Sequence, residues 1–190
     1  MSPDAVSASS VVFAGLGFWA FWNVADAEGT SRAGWLLAAG LCIQLRLLAN
    51  LLDGMVAVEH GPGGPLGPIW NELPDRMADV LFLVGAGYAL RVYDPLLGPV
   101  LGWTAAVLAV TAAYVRQLGS ALGQPADFSG SGAKPHRMAA LTAGSVLAAL
   151  LSIVSDWAVV ALWLALAVIV LLGTATVVRR TSRLATALRS

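Results

Sequence analysis

Residues 46–58 read Arg46-Leu-Leu-Ala-Asn50-Leu-Leu-Asp53-Gly54-Met-Val-Ala57-Val58, and residues 71–79 read Asn71-Glu-Leu-Pro-Asp75-Arg-Met-Ala-Asp79. The first stretch closes one long apolar run and the second opens the next, so three carboxylates stand at the edge of segments of bilayer length. An ionised side chain at bilayer depth costs about 2.5–3.5 kcal/mol on insertion scales, which makes such acids functional candidates. Acids gathered at one depth repel one another unless a positive centre lies between them. A divalent cation with oxygen ligands supplies one, and a magnesium-type ion also holds substrate phosphates.

Composition puts the chain in a membrane. Its 190 residues are 58% hydrophobic and 12% charged, with mean hydropathy +0.77, whereas about 25% of residues are charged in a soluble domain. Apolar runs of about 20 residues cross a bilayer as helices. The expected fold is an all-α integral membrane protein with six transmembrane helices, near Ser9 to Val24, Gly34 to Val58, Pro74 to Val92, Leu96 to Leu118, Met138 to Ser155 and Trp157 to Val178. The flank Met-Ser-Pro-Asp carries an acid and no Lys or Arg, so the first run reads as a retained helix rather than a signal peptide. Residues 1–190 form one transmembrane domain on this reading, with an Arg-rich C-terminal tail over 179–190.

Basic residues set the orientation. With both termini cytoplasmic, the inner segments hold Arg76, Arg116, Lys134, Arg137, Arg179, Arg180, Arg183 and Arg189, and the outer loops hold Arg32 and Arg91. The chain is thus expected in the inner (cytoplasmic) membrane if bacterial, its active site facing the cytoplasm. Membrane lipids are expected partners and nucleic acid is not. The Arg-rich tail reads as an anchor to anionic headgroups. Two inner loops, His60-Gly-Pro-Gly-Gly-Pro-Leu-Gly-Pro and Gly119 to Pro135, have backbones able to approach a ligand, with plain linkers as the alternative.

The polar residues share helix faces. Arg46, Asn50, Asp53 and Ala57 follow a four, three, four spacing along one stripe, and Asp75 and Asp79 are one turn apart. Two antiparallel helices then bring Asn50, Asp53, Asp75 and Asp79 to one point, with Gly54 leaving room for a nucleotide or pyrophosphate. Arg46 is expected to pair with an acid of the site. Glu72 either supplies the charge that Asn50 lacks or is an exposed loop glutamate. Gly98-x-x-x-Gly102 fits a close-packing motif that a homodimer can use.

These stretches resemble the CDP-alcohol phosphotransferase family, integral membrane enzymes of phospholipid synthesis. Its motif is Asp-x-x-Asp-Gly-x-x-Ala-Arg followed, after a spacer, by Gly-x-x-x-Asp-x-x-x-Asp. Asp53, Gly54, Ala57, Asp75 and Asp79 match it. Asn50 stands where the first aspartate belongs, Val58 where the arginine belongs and Asn71 where the second glycine belongs, and the spacer is longer than usual.

The resemblance implies transfer of a phosphatidyl group from a CDP-linked lipid donor, such as CDP-diacylglycerol, to a small alcohol acceptor, with release of CMP. It implies Mg2+ or Mn2+ held by Asn50, Asp53, Asp75 and Asp79, with Asp79 as general base. Gly54, Ala57, Asn71 and Arg46 fall on the donor side, and Arg116, Lys134 and Arg137 on the phosphate of a phosphorylated acceptor. A small-solute transporter and a catalytically silent membrane partner are the alternatives, the second kept open by Asn50 and Val58.

Overall fold

The computed structural model describes residues 3–60, 67–155 and 159–189, with side chains described for 9–52, 67, 69–70, 72–155 and 159–189. The described residues form six helices: α1 (Pro3–Val24), α2 (Gly29–His60), α3 (Gly67–Ala89), α4 (Leu97–Ala121), α5 (Lys134–Leu151) and α6 (Val159–Ala187). Their Ala- and Leu-rich sequences favour helix, which also satisfies every interior backbone group where water is absent. Asp94 Oδ1 accepts from the backbone N–H groups of Leu96 and Leu97 at 3.0 and 2.8 Å and fixes the start of α4. Pro135 lies in the first turn of α5, where its missing N–H costs nothing.

The helices close into a ring. α1 packs on α2 and α3, α3 on α4, α4 on α6, α6 on α5, and α5 back on α2. Small residues line the interior, with Gly98, Gly102, Ala105, Ala109 and Ala112 facing inward on α4 and Ala165, Gly173 and Thr176 on α6. Large apolar side chains point outward instead, among them Leu41, Trp103, Val107, Leu164 and Leu171. A soluble protein cannot leave so much apolar surface uncovered. Small residues where helices touch and large apolar side chains outside, around a core that also holds Phe21, Phe82, Leu83 and Met138, is the pattern of helices packed in lipid.

The expectation of six transmembrane helices is corrected. Among the described residues three helices are long and apolar enough to span, over Gly29–Leu52, Leu97–Ala121 and Val159–Ala187, and they make this an integral membrane protein. The apolar described part of α1, Ser9–Val24, is shorter. α3 carries Glu72, Asp75, Arg76 and Asp79 in one half, and α5 is 18 residues long with Lys134 and Arg137 in its first turn. Charge and length therefore remove these two from the apolar set. α3 also begins at Gly67 rather than at Pro74, so Glu72 lies on a helix and not in a loop. The expected tail is helical too, as α6 runs on to Ala187.

Two packing expectations also change. Among the described residues α2 and α3 share no extensive contact; each packs on α1, and long side chains bridge the gap between them. The Gly98-x-x-x-Gly102 motif is used within the chain. A Cβ on Gly87 of α3 would stand 2.7 Å from the Gly98 carbonyl oxygen and 2.8 Å from the Gly102 Cα, so these two helices touch backbone to backbone.

Candidate active site

The C-terminal parts of α2, α4 and α6 and the N-terminal parts of α3 and α5 meet at one end of the ring, and the charged side chains collect there. Arg46 of α2 is fully buried. Its Nη2 donates to Asp75 Oδ1 at 3.0 Å and to Asp79 Oδ1 at 3.2 Å, so the two carboxylates of α3 converge on one cationic atom. Asp75 Oδ1 also accepts from Asn50 Nδ2 at 2.7 Å, and Asp75 Oδ2 accepts from Lys134 Nζ at 2.5 Å. Arg137 Nη2 donates to Asp79 Oδ2 at 2.7 Å and its Nη1 to the Gly132 carbonyl at 2.6 Å. Helices α2, α3 and α5 are thereby joined through two carboxylates.

Beside this cluster lies a cavity of about 730 Å³ between α3, α4, α5, α6 and the loop over residues 122–133. Among the described residues, Arg76, Arg116, Lys134, Arg137 and Arg180 line it against two carboxylates, Glu72 and Asp75. Glu72 accepts from Arg76 at 2.7 Å and from Arg116 at 2.6 Å. Burial alone would raise the Glu72 pKa, but these two guanidinium groups outweigh it and hold the carboxyl below its usual range. Burial, then the nearby Arg46 charge, lowers the Lys134 pKa from its ordinary value in spite of Asp75. Arg116 also sits 5.0 Å from the centre of the Phe128 ring.

The loop over 122–133 is held closed onto α6. Arg180 donates to the Ser129 carbonyl at 3.0 Å and the Ala112 carbonyl at 2.9 Å, Arg183 to the Ser129 hydroxyl at 2.6 Å, and the Gly132 N–H to Thr176 Oγ1 at 2.9 Å. Gly123 and Gly130 take φ of 77° and 125°, which lets the loop turn back over the cavity. The Ser129 hydroxyl, bonded to Asp127, lowers its pKa; burial opposes this, and the Ser129 backbone N–H and Arg183 add to the lowering.

Of the residues expected from the sequence, Asn50, Asp75, Asp79 and Arg46 come together, and Arg116, Lys134 and Arg137 line the adjoining cavity. The side chains of Asp53, Gly54, Ala57 and Asn71 lie outside the described residues. Asn50 is turned with its amide nitrogen toward Asp75, a donor rather than an oxygen ligand. His136 is exposed on the rim. Sequence reading passed over Arg180, which it took for a headgroup anchor. The spacing of Gly173, Thr176 and Arg180 along the buried stripe of α6 was the available signal.

The described residues hold no group of three metal-ligating side chains. Asp75 and Asp79 nevertheless present hard carboxylate oxygens to one point, and the guanidinium nitrogen of Arg46 occupies that point as a cation. The donor chemistry fits a magnesium- or manganese-type ion.

The fold is that of a solved enzyme, phosphatidylinositol phosphate synthase of Mycobacterium tuberculosis. The crystal structure of that enzyme with CDP-DAG bound gives a TM-score of 0.76 at 20% identity, covering 97% of this chain and 86% of the other. Its complex with manganese and citrate gives 0.77 at 20% identity over 98% and 83%. The apo form gives 0.72 at 20% identity over 96% and 88%. No protein-family model and no curated protein matches the sequence.

Proposed function

We propose that this membrane protein is a CDP-alcohol phosphotransferase that moves a phosphatidyl group from CDP-diacylglycerol to the hydroxyl of a small phosphorylated alcohol, releasing CMP. The observation that carries the reading is the cavity whose five cations adjoin the Asp75 and Asp79 carboxylates on the membrane fold of a solved phosphatidyltransferase. A buried ion network is a poor way to stabilise a protein, since well-packed apolar residues are often better by about 1–4 kcal/mol. Such a network beside a cavity is a functional-site candidate.

The geometry supports roles for the cavity residues, and the family resemblance supplies those of Asp53, Gly54, Ala57 and Asn71. Arg116, Lys134 and Arg137 bind the acceptor phosphate, for which fixed guanidinium forks and an ammonium are the natural receptor. Arg76 and Arg180, on the same wall, add to the positive field that draws in and orients the anion. The acceptor hydroxyl oxygen forms a new bond to the phosphatidyl phosphorus as the bond from that phosphorus to the CMP oxygen breaks. Asp79 takes the hydroxyl proton on Oδ2 once Arg137 turns from it to the acceptor phosphate. Asp53, Asp75 and Asp79, with Asn50 beside them, would hold the divalent cation. When bound, that ion neutralises the diphosphate and the charge that grows on the leaving CMP. Gly54, Ala57 and Asn71 fall on the donor side. The excess of Arg and Lys at this end supports a site facing the cytoplasm.

The test is CMP release by purified protein in detergent with CDP-diacylglycerol, Mg2+ or Mn2+ and a panel of free and phosphorylated alcohols, with Asp79→Asn as control. Release that requires acceptor and Asp79 establishes the reaction and names the alcohol. Absence of release with every acceptor overturns the reading.

A further inference from the structure

Arg46, which the family resemblance sets on the donor side, meets the carboxylates Asp75 and Asp79 in the structure. It is completely buried, yet its Nε and Nη1 have no hydrogen-bond partner among the described residues, and only Nη2 is engaged. That one nitrogen bridges Asp75 and Asp79 and also donates to the Asp75 carbonyl at 3.2 Å. Leaving two buried guanidinium nitrogens unpaired is costly, so the bridge is made at the expense of the rest of the side chain. Position 50, one turn along α2, holds a neutral amide that donates to Asp75. The described cluster thus carries three cations, Arg46, Lys134 and Arg137, on two carboxylates.

A divalent ion entering here faces two obstacles. The Asp75 and Asp79 oxygens it needs are already bonded to guanidinium and ammonium groups, and these described side chains carry more positive than negative charge before it arrives. We propose that Arg46 is a built-in competitor of the metal: its guanidinium holds the Asp75 and Asp79 carboxylates together in the metal-free protein and must leave Nη2's position for a divalent cation to take their oxygens. Metal binding is therefore weakened by Arg46, and the two carboxylates are held together without an ion. The inference builds on the metal site of the proposed reaction, but it concerns binding alone, so its outcome is separable from that of the CMP-release assay.

The test is Mn2+ titration of the purified, metal-free protein in detergent, followed by electron paramagnetic resonance and by thermal unfolding. Arg46→Met removes the competing charge at similar volume, and Arg46→Lys keeps a charge. The expected result is at least tenfold tighter Mn2+ binding by Arg46→Met than by wild type, with a larger Mn2+-induced rise in unfolding temperature. Arg46→Lys is expected to stay closer to wild type than Arg46→Met does. If Arg46→Met folds only when Mn2+ is present during purification, the metal has replaced the missing cation and the inference also stands. Equal or weaker Mn2+ affinity in Arg46→Met, or failure of Mn2+ to rescue its folding, overturns it.

Discussion

Lys134 Nζ lies 2.5 Å from Asp75 Oδ2, joining the first turn of α5 to the polar end of α3 across the ring. α3 and α5 are not neighbours in the ring, whose order sets α1 and α2 between them on one side and α4 and α6 on the other. This pair, the Arg137 to Asp79 pair and the Arg46 bridge are therefore cross-struts that fix the polar end while the apolar remainder is held by close helix packing. The struts and the chemistry use the same side chains.

The Lys134 to Asp75 pair is partly buried, its side chains 24% and 13% exposed. Removing one partner is expected to cost about 2 kcal/mol, between the value of an exposed pair and that of a fully buried one. Asp75→Asn and Lys134→Met should each lower the unfolding temperature in detergent, and the double variant should lose less than the sum. Additive losses would show that the pair contributes nothing beyond its members. Asp75→Asn is expected to abolish CMP release as well, whereas Lys134→Met should act first on the acceptor.

Arg116 joins the acceptor wall to α3 through Glu72 at 2.6 Å. Charge-assisted hydrogen bonds of this kind are worth about 1.5–3 kcal/mol, so Arg116→Ala should raise the acceptor KM by about 10- to 100-fold and move the donor KM much less. Steady-state kinetics with each substrate varied in turn checks this. A larger rise in the donor KM would assign Arg116 to the donor side instead.

How much of this could be read from the sequence differs from feature to feature. The helices follow from apolar runs, and their approximate positions were legible because Gly and Pro punctuate the chain. Asp75, Asp79 and Asn50 were found by helical spacing and by the family motif, since both report one face of a helix. The number of spans was not legible, because α3 and α5 carry charges whose cost is met by partners on other helices, Arg46 for Asp79 and Asp79 for Arg137. The placement of α2 was missed for a related reason. A hairpin reading of consecutive helices has no access to ring order, in which, among the described residues, α1 packs on both α2 and α3 while these two meet through the Arg46 and Asn50 bonds to α3. Arg180 was misread because an Arg near a chain end resembles a headgroup anchor until α6 is seen to carry it over the loop.

The loop over 122–133 should open at acid pH by way of Asp127. Its folded pKa is lowered by Ser129 and by Arg183 and Arg180. The linkage sign is that of a depressed carboxylate: its contribution is complete above the ordinary value of about 3.9 and is lost as pH falls through the lower folded value. Hydrogen-exchange protection of residues 123–133, taken relative to the intrinsic rate at each pH, is expected to be unchanged from pH 7 to pH 5 and to fall only below the usual carboxylate range. In Asp127→Asn the acid-dependent step should disappear. A step that persists in the variant would place the titrating group elsewhere.

Gly87 makes a backbone-to-backbone helix contact outside the site, and its substitution separates packing from chemistry. A Cβ there would lie 2.7 Å from the Gly98 carbonyl and 2.8 Å from the Gly102 Cα, both backbone atoms that cannot turn aside. Overpacking costs about 1–3 kcal/mol where side chains can adjust, and a backbone contact leaves less to adjust. Gly87→Val should therefore destabilise the protein by at least that amount in detergent unfolding. Gly15→Ala, on α1 with no atom within 4 Å of the added Cβ, should be neutral or slightly stabilising because alanine favours helix. If the α3 to α4 contact instead served a second copy of the chain, Gly87→Val would change the oligomeric mass and spare the unfolding temperature. Light scattering on the same samples distinguishes the two, and the intrachain contact predicts lost stability at unchanged mass.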